Sequence, residues 1–468
     1  MLFFITIFLI SHAVVAQFEE QQIISTTTSS PYIAQPYDID NDGAMDVLVA
    51  FGENLSLSWF RNTDGLGTFS EEILINSNPV LYLSIHFTDI DTDGDRDILF
   101  IENNPRRLVW LENTDGEGTF GPEQEIAEED YIDSVVPMDF DNDGDIDLIS
   151  SYTDTFTDTI RWYENIDGSG VFSEPELLFD NLSRLSKLVI ADINNDTFED
   201  ILTSHENEGP ATIIWYQNTG NASFQDATVL HQYDYFTEPT VSDQTSVYEL
   251  QFADINNDDL KDVVFIAELD FPEFYYRKLS WLENLDNMGN FGVLVDIFED
   301  TFDVYRFFDI DDDGDNDIIK YFRNFDQISW IEYDQDLAAF TTERVITTEV
   351  DFTRNVQAAD FNNDGLLDIV SASSGDDKVA WYLNTGTLSI QETKVSPYTI
   401  TPNPVNNLLT ITGEKDITTV TVYTLTGQEL TIEIENNTID VSQLPAGYYF
   451  LNIQNTALFS KTITFIKK

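Results

Sequence analysis

Between Gln17 and Ser389 the hydrophobic positions come in short clusters rather than long stripes. Val, Ile, Leu and aromatic residues run together or alternate with polar ones, as in DILFIE, DLISSY and DIVSAS, and Asp, Asn and Gly bound each cluster. Alternation with β-branched and aromatic residues predicts strands, and no helical stripe runs through the chain. The clusters fall into groups of four. In one group Leu81–Thr88 is the first strand, Ile98–Glu102 the second, Leu108–Asn113 the third and Phe120–Ile126 the fourth, with a hairpin at Asn103–Arg107.

The group recurs. A nine-residue acidic stretch follows the first strand and begins at Asp38, Asp89, Asp139, Asp192, Asp254, Asp309 and Asp360, with gaps of 51, 50, 53, 62, 55 and 51 residues. The seven tryptophans run in phase, at Trp59, Trp110, Trp162, Trp215, Trp281, Trp330 and Trp381. Most lead into Asn, a Gly-containing turn and Phe, as in WFRNTDGLGTF, WLENTDGEGTF and WYENIDGSGVF. Four short strands in about 50 residues, repeated seven times, predict an all-β fold, a seven-bladed β-propeller with each Trp filling space between neighbouring sheets. The seventh copy ends at WYLNTGTLS, without its Phe and fourth strand, while Gln17-Phe18-Glu19-Glu20 near the start resembles the missing piece. Residues 17–26 are therefore expected to be the outer strand of the last blade, which removes the open edge at the seam.

The acidic stretches carry the chemistry. In DFDNDGDID, Asp139, Asp141, Asp143 and Asp147 stand at positions 1, 3, 5 and 9, and Gly144 stands at position 6. Alternate side chains of a tight loop point inward together, and a hard cation such as Ca²⁺ takes six to eight oxygens. Without a cation, several carboxylates in one loop repel. Three more loops carry the full set: Asp38/Asp40/Asp42/Asp46, Asp89/Asp91/Asp93/Asp97 and Asp309/Asp311/Asp313/Asp317. Asp360/Asn362/Asp364/Asp368 replaces one carboxylate by an amide oxygen. Asp192/Asn194/Asp196/Asp200 and Asp254/Asn256/Asp258/Asp262 also lose the glycine, to Thr197 and Asp259, so the turn is less easily made there. The expectation is structural Ca²⁺ at up to seven sites.

Composition narrows the setting. Eighty-six acidic against 21 basic residues give a net charge of −65, which argues against nucleic acid and anionic membrane surfaces as partners. The 42% of hydrophobic residues supply a large core. Residues 1–16 read as a secretory signal peptide, with the apolar run Leu2–Ile10 closed by Ala13 and Ala16. No later stretch reads as a transmembrane segment. The chain has no cysteine, so an exported domain needs another staple, and metal held only by the folded loops is one.

These repeats resemble the FG-GAP/VCBS repeat family, over roughly residues 17–388, with loops similar to those of integrin α-subunit propellers. The resemblance implies calcium bound by side chains at positions 1, 3, 5 and 9 and by the carbonyl at position 7. In such a propeller the acidic loops and the DGxG turns share one face. The other face carries two expanded connections, His231–Leu250 and Glu268–Lys278. They bring Tyr233, Tyr235, Phe236, Phe271, Phe274, Tyr275, Tyr276, Arg277 and Lys278 to one rim, a candidate surface for a glycan or protein ligand. Some related propellers are polysaccharide lyases. Here His86, His205 and His231 are isolated in sequence, so a polysaccharide-degrading enzyme is the alternative to a binding or scaffold protein, and no catalytic residue is assigned.

After residues 389–397, read as a linker, the Asp loops and Trp disappear. Residues 398–468 alternate Val, Ile, Thr and Tyr between Gly and Pro turns, the pattern of a small β-sandwich. PNPVNNLLTI, VYTLTGQEL, LPAGYYFLNI and the Lys467-Lys468 end resemble the type A C-terminal sorting domain of the type IX secretion system. This implies the type IX machinery as a partner, and a secreted or cell-surface product.

Overall fold

The computed structural model describes residues 17–468 apart from 27–29, 54, 79–80, 155–157, 183–184, 206–210, 221–222, 233–244, 259, 272–273, 287, 301–303, 322–325, 336, 338, 387–397, 414–416, 425–428, 431–433, 436 and 456–459. The leader and linker expected from the sequence lie outside the described residues. Contacts divide the chain into two compact units, Met1–Thr387 and Leu388–Lys468.

The first unit is all β. Among the described residues it holds seven four-stranded antiparallel sheets, here called blades 1 to 7. Blade 1 is Pro31–Tyr37, Asp46–Phe51, Leu57–Phe60 and Ile73–Asn76. Blade 2 is Tyr82–Thr88, Asp97–Asn103, Arg106–Leu111 and Gln124–Glu128. Its fourth strand starts later than the sequence suggests, because Phe120 first bridges back to Asn113 and closes the TDGEG turn. The same Asn–Phe bridge recurs at Asn62/Phe69, Asn165/Phe172, Asn218/Phe224 and Asn284/Phe291.

Blade 7 takes three strands, Thr353–Ala359, Asp368–Ser373 and Lys378–Tyr382, from the end of the unit and the fourth, Gln22–Ser25, from its beginning. Gln22 pairs with Trp381 and Ile23 with Ala380, and Phe18 bridges Asn384. The N-terminal piece thus occupies the place of the missing fourth strand and its Phe, as its likeness to the other repeats suggests.

Second strands are buried on both faces, as in Asp46–Phe51, Asp147–Tyr152 and Asp368–Ser373. Their alternation divides the side chains between two neighbours. Val47, Val49 and Phe51 pack against Phe361, Val370 and Trp381 of blade 7, while Leu48 and Ala50 pack against Ile98 and Phe100 of blade 2. Every adjacent pair has its own apolar cluster. Trp110 joins Leu148 and Tyr163; Phe140 joins Ile201 and Tyr216; Trp215 joins Val263 and Phe265; Val264 joins Ile318; and Trp330 joins Ile369 and Tyr382. Contact from blade 1 round to blade 7 and back to blade 1 closes a ring.

In the second unit, two four-stranded sheets share one apolar core. One holds Leu408–Gly413 and the other holds Ile417–Thr424, Gly447–Asn455 and Ser460–Lys467. Leu409, Ile411 and Ile439 meet Val422, Leu451, Ile453 and Phe465 in that core.

Candidate metal centre

Each acidic loop links the first two strands of a blade, and its position-1 carboxylate folds the loop back on itself. Asp139 accepts from the Asp143 N–H (3.0 Å) with one oxygen and from the Gly144 N–H (3.1 Å) with the other. Asp38, Asp309 and Asp360 do the same with the corresponding amides. Two left-handed residues make this curl. Position 6 is one, with Gly144 at φ 104°, and Thr197 adopts φ 76° in its loop despite its branched side chain. Position 4 is the other, at φ 53–63° in Asn41, Thr92, Asn142, Asn195, Asn257, Asp312 and Asn363. Asn tolerates this region better than other non-glycine residues, and its recurrence at position 4 was the available sequence signal.

Positions 1, 3 and 5 converge in three loops. Carboxylate oxygens of Asp38/Asp40/Asp42, Asp139/Asp141/Asp143 and Asp309/Asp311/Asp313 lie within 4.8 Å of one another. The second loop differs from the expected set. There the converging carboxylates are Asp89, Asp91 and Asp97, and Asp93, expected as the position-5 ligand, is not among them. The Asp93 N–H donates to Asp91 (3.3 Å), and its exposed carboxylate accepts from the Asp95 N–H (2.9 Å). Asp143 makes the same bonds in its own loop, so they do not set Asp93 apart, and in the second loop the buried position-9 Asp97 stands in the group. Where position 3 is Asn, the amide nitrogen instead bonds the position-5 carboxylate: Asn194 to Asp196 (2.9 Å), Asn256 to Asp258 (3.1 Å) and Asn362 to Asp364 (2.9 Å).

Position 9 is different in kind. Asp46, Asp97, Asp147, Asp200, Asp262, Asp317 and Asp368 are all buried. One oxygen of Asp97 accepts from the Ile90 N–H (2.9 Å) inside the loop, and the other accepts from the Asn113 N–H (2.9 Å) after the tryptophan. Asp46, Asp200, Asp262, Asp317 and Asp368 repeat this double acceptance. Burial pushes these carboxyls up, to about 7 in Asp46, Asp97, Asp200, Asp262 and Asp368, about 6 in Asp147 and about 8 in Asp317.

The donor set fits a hard cation. Among the loops, buried carboxylate oxygens without a hydrogen-bond partner remain on Asp40, Asp89, Asp147, Asp311 and Asp315, and on Asp40, which Arg61 meets as an ion pair, and on Asp315 both oxygens are in this state. Buried oxygens of that kind normally have a partner, and an oxygen-seeking ion supplies one. Asp315, at position 7 of its loop, is a side chain that sequence reasoning assigned no role.

Loops are also clipped to the next blade. Asn62, Asn113, Asn165 and Asn384 are buried, and their amide nitrogens donate to the position-2 carbonyls of the preceding loops, at Phe361 (2.8 Å), Ile39 (3.1 Å), Ile90 (2.8 Å) and Ile310 (2.8 Å). The Trp-x-x-Asn spacing was visible in the sequence, but its partner lies one blade away.

At the candidate ligand rim, Tyr233, Tyr235 and Phe236 fall outside the described residues. Asp262–Phe271 and Phe274–Leu282 form a long hairpin in which Asp270 pairs with Tyr275 and Phe271 with Phe274. Arg277 bonds Glu268 (2.8 Å) and Lys278 bonds Asp296 (2.7 Å), so acidic neighbours compensate both charges. His205 is buried with Thr203 on its Nε2 (2.7 Å), and His86 bonds Ser84 (2.8 Å) while burial lowers its pKa to about 4.

A closed ring of four-stranded sheets with an acidic loop at one end of each defines a repeat β-propeller. The chain belongs to the FG-GAP-like repeat family, whose model matches residues 38–100, 89–150, 139–203, 309–371 and 360–411, more than half of the chain. The loop at Asp254 lies outside these matches. Residues 399–468 match the secretion system C-terminal sorting domain, which the type IX machinery recognises and which directs export to the cell surface or secretion. No curated protein matches the chain. Similar solved structures include BBS1N in complex with ARL6DN (7% identity, 79% of this chain and 97% of that one, TM-score 0.46). Another is a mutant of the α-L-arabinofuranosidase arb93a from Fusarium graminearum (11%, 65% and 93%, TM-score 0.41). A third is rhamnogalacturonan lyase YesW (12%, 79% and 76%, TM-score 0.44). Among the described residues no helix is long and apolar enough to cross a membrane.

Proposed function

We propose that this chain is a calcium-stabilised binding or scaffold propeller that works outside the cell. Residues 1–16 would be its leader, 17–388 the propeller, 389–397 the linker and 398–468 the sorting domain. The observation that carries the calcium reading is the convergence of Asp139, Asp141 and Asp143 within 4.8 Å, repeated in other loops. Asp139 and Asp309 would hold the ion from position 1, with positions 3 and 5 beside them and position 9 behind. In the second loop Asp89, Asp91 and Asp97 would do so. Bound Ca²⁺ supplies a counter-charge that only the folded loop can use, so it stabilises the fold by mass action. The protein's own part is the curl that gathers the carboxylates and the buried position-9 Asp that ties loop to strand. Extracellular modules bind Ca²⁺ at about 10⁻⁴–10⁻³ M, which suits an exported chain.

A glycan or protein ligand would dock at the rim formed by the long hairpin and the connection before blade 5. His86 and His205 each bond a neighbour on their own strand, Ser84 and Thr203. Calorimetric titration of the full chain with Ca²⁺ tests the first part: saturable uptake of several ions is expected, and no uptake overturns it. A glycan array with the calcium-loaded chain and with a variant whose 271–276 tip is shortened tests the second. Signal lost with the tip supports the rim, and signal unchanged places the ligand elsewhere.

A further inference from the structure

In three blades the side chain two residues after the tryptophan reaches the acidic loop of its own blade. In blade 1 it is Arg61, whose Nε lies 2.6 Å from Asp40 Oδ2 and whose terminal nitrogen lies 2.9 Å from Asp42 Oδ2. In blade 4 it is Gln217, which donates to Asp196 Oδ2 at 3.2 Å. In blade 5 it is Glu283, whose Oε1 lies 3.5 Å from the Asn256 amide nitrogen. One register position therefore delivers a side chain to position 3 or 5 of the loop in three blades. Blades 2, 3 and 6 carry Glu112, Glu164 and Glu332 there, and blade 7 carries the apolar Leu383.

The chemistry of that side chain divides the loops. Arginine is always charged, and its planar fork suits two carboxylates at once. Arg61 holds oxygens of both Asp40 and Asp42, two of the three carboxylates that converge in the first loop. A divalent ion there would have to displace the guanidinium and then sit against its charge. Glutamate at the same place does the reverse, adding negative charge beside the loop.

We infer that Arg61 is the resident cation of the first loop, so that this loop takes no calcium, and that a charged residue two after the tryptophan, where a blade carries one, sets whether its loop depends on the ion. The second clause rests on the calcium reading of the other loops; the first stands without it.

The test uses the full chain in three variants. Arg61→Glu gives the first loop the charge pattern of blades 2 and 3, and it should bind one Ca²⁺ more per chain than the wild type in equilibrium dialysis. Glu164→Arg should bind one fewer. An Arg61→Glu chain that binds the same number as the wild type overturns the inference. Melting in chelator reads the resident cation without calcium. Arg61→Ala should lower the midpoint by about 2 °C relative to the wild type in chelator, and added Ca²⁺ should restore it. An unchanged midpoint in chelator overturns the inference even if the wild type binds no calcium, a result that would sink only the calcium reading.

Discussion

Gly67 and Trp381 meet across the seam of the ring: a Cβ built on Gly67 would stand 2.3 Å from the Trp381 ring. Gly67 belongs to the DGxG turn of blade 1 and Trp381 to the third strand of blade 7. The contact recurs where Gly118 covers Trp59, Gly170 covers Trp110 and Gly289 covers Trp215. The two most regular motifs of the repeat are therefore halves of one joint, made between neighbours.

This joint gives a graded expectation for glycine replacement. Gly67 and Gly365 both have positive φ, at 85° and 93°, but only at Gly67 would a methyl strike a ring, since nothing lies within 4 Å of a Cβ at Gly365. Gly365→Ala should cost about 1–2 kcal/mol from backbone strain alone. Gly67→Ala should cost about 1–3 kcal/mol more from overpacking. Urea unfolding of the two variants in calcium checks the order, and equal losses would mean that the turn yields freely.

Asn62 makes the polar half of the seam. Its amide nitrogen donates to Phe361 O (2.8 Å), and its side-chain oxygen accepts from the Gly67 N–H (3.1 Å). Asn62→Ala leaves a buried carbonyl and a half-buried amide without these partners, at a cost of about 1–3 kcal/mol for an unsatisfied buried group. Urea unfolding measures the loss. A neutral substitution would contradict the clip.

Proton linkage gives a further expectation. Burial pushes the position-9 carboxyls up, for example to about 7 in Asp46 and Asp368 and about 8 in Asp317, from 3.8. A carboxyl raised in the folded state binds protons better there than in the unfolded chain. Its stabilisation is present in full below the unfolded value and is lost as pH rises through the folded value. In chelator the chain should therefore melt at a higher temperature at pH 5 than at pH 8. Calcium should narrow or reverse this gap, because it favours the ionised loops. A chelated midpoint that rises from pH 5 to pH 8 would contradict the burial of these groups.

Much of this architecture was legible in the chain. DFDNDGDID, Trp162 and the NIDGSGVF turn announce a repeat, and the alternation of DLISSY announces its central strand. Even the seam was readable, because Phe18 stands where the seventh repeat lacks its Phe. The division of labour within the loop was harder to read. Asp147 and Asp139 look alike in sequence, yet Asp147 is buried within the blade and Asp139 curls the loop. Asp93 and Asp143 likewise share position 5, yet the converging carboxylates of their two loops differ, which spacing does not report. Burial depends on the neighbouring sheet, which a period of two along one strand does not report. For the same reason the partners of Asn62 and Gly67 were not legible, since both lie about 300 residues away and meet these residues only when the ring closes. The equivalence of Arg61, Gln217 and Glu283 also emerges only when their side chains are seen beside the loops.

Thermal melting of the full chain at pH 7.5, in calcium and in chelator, tests the central claim most directly. Saturation of even one site at a hundredfold excess over its Kd adds about 2.7 kcal/mol. Calcium should therefore raise the midpoint by about 3 °C for each saturated site, with the chelated value recovered when the ion is removed. Identical midpoints in calcium and chelator would contradict a calcium-stabilised propeller.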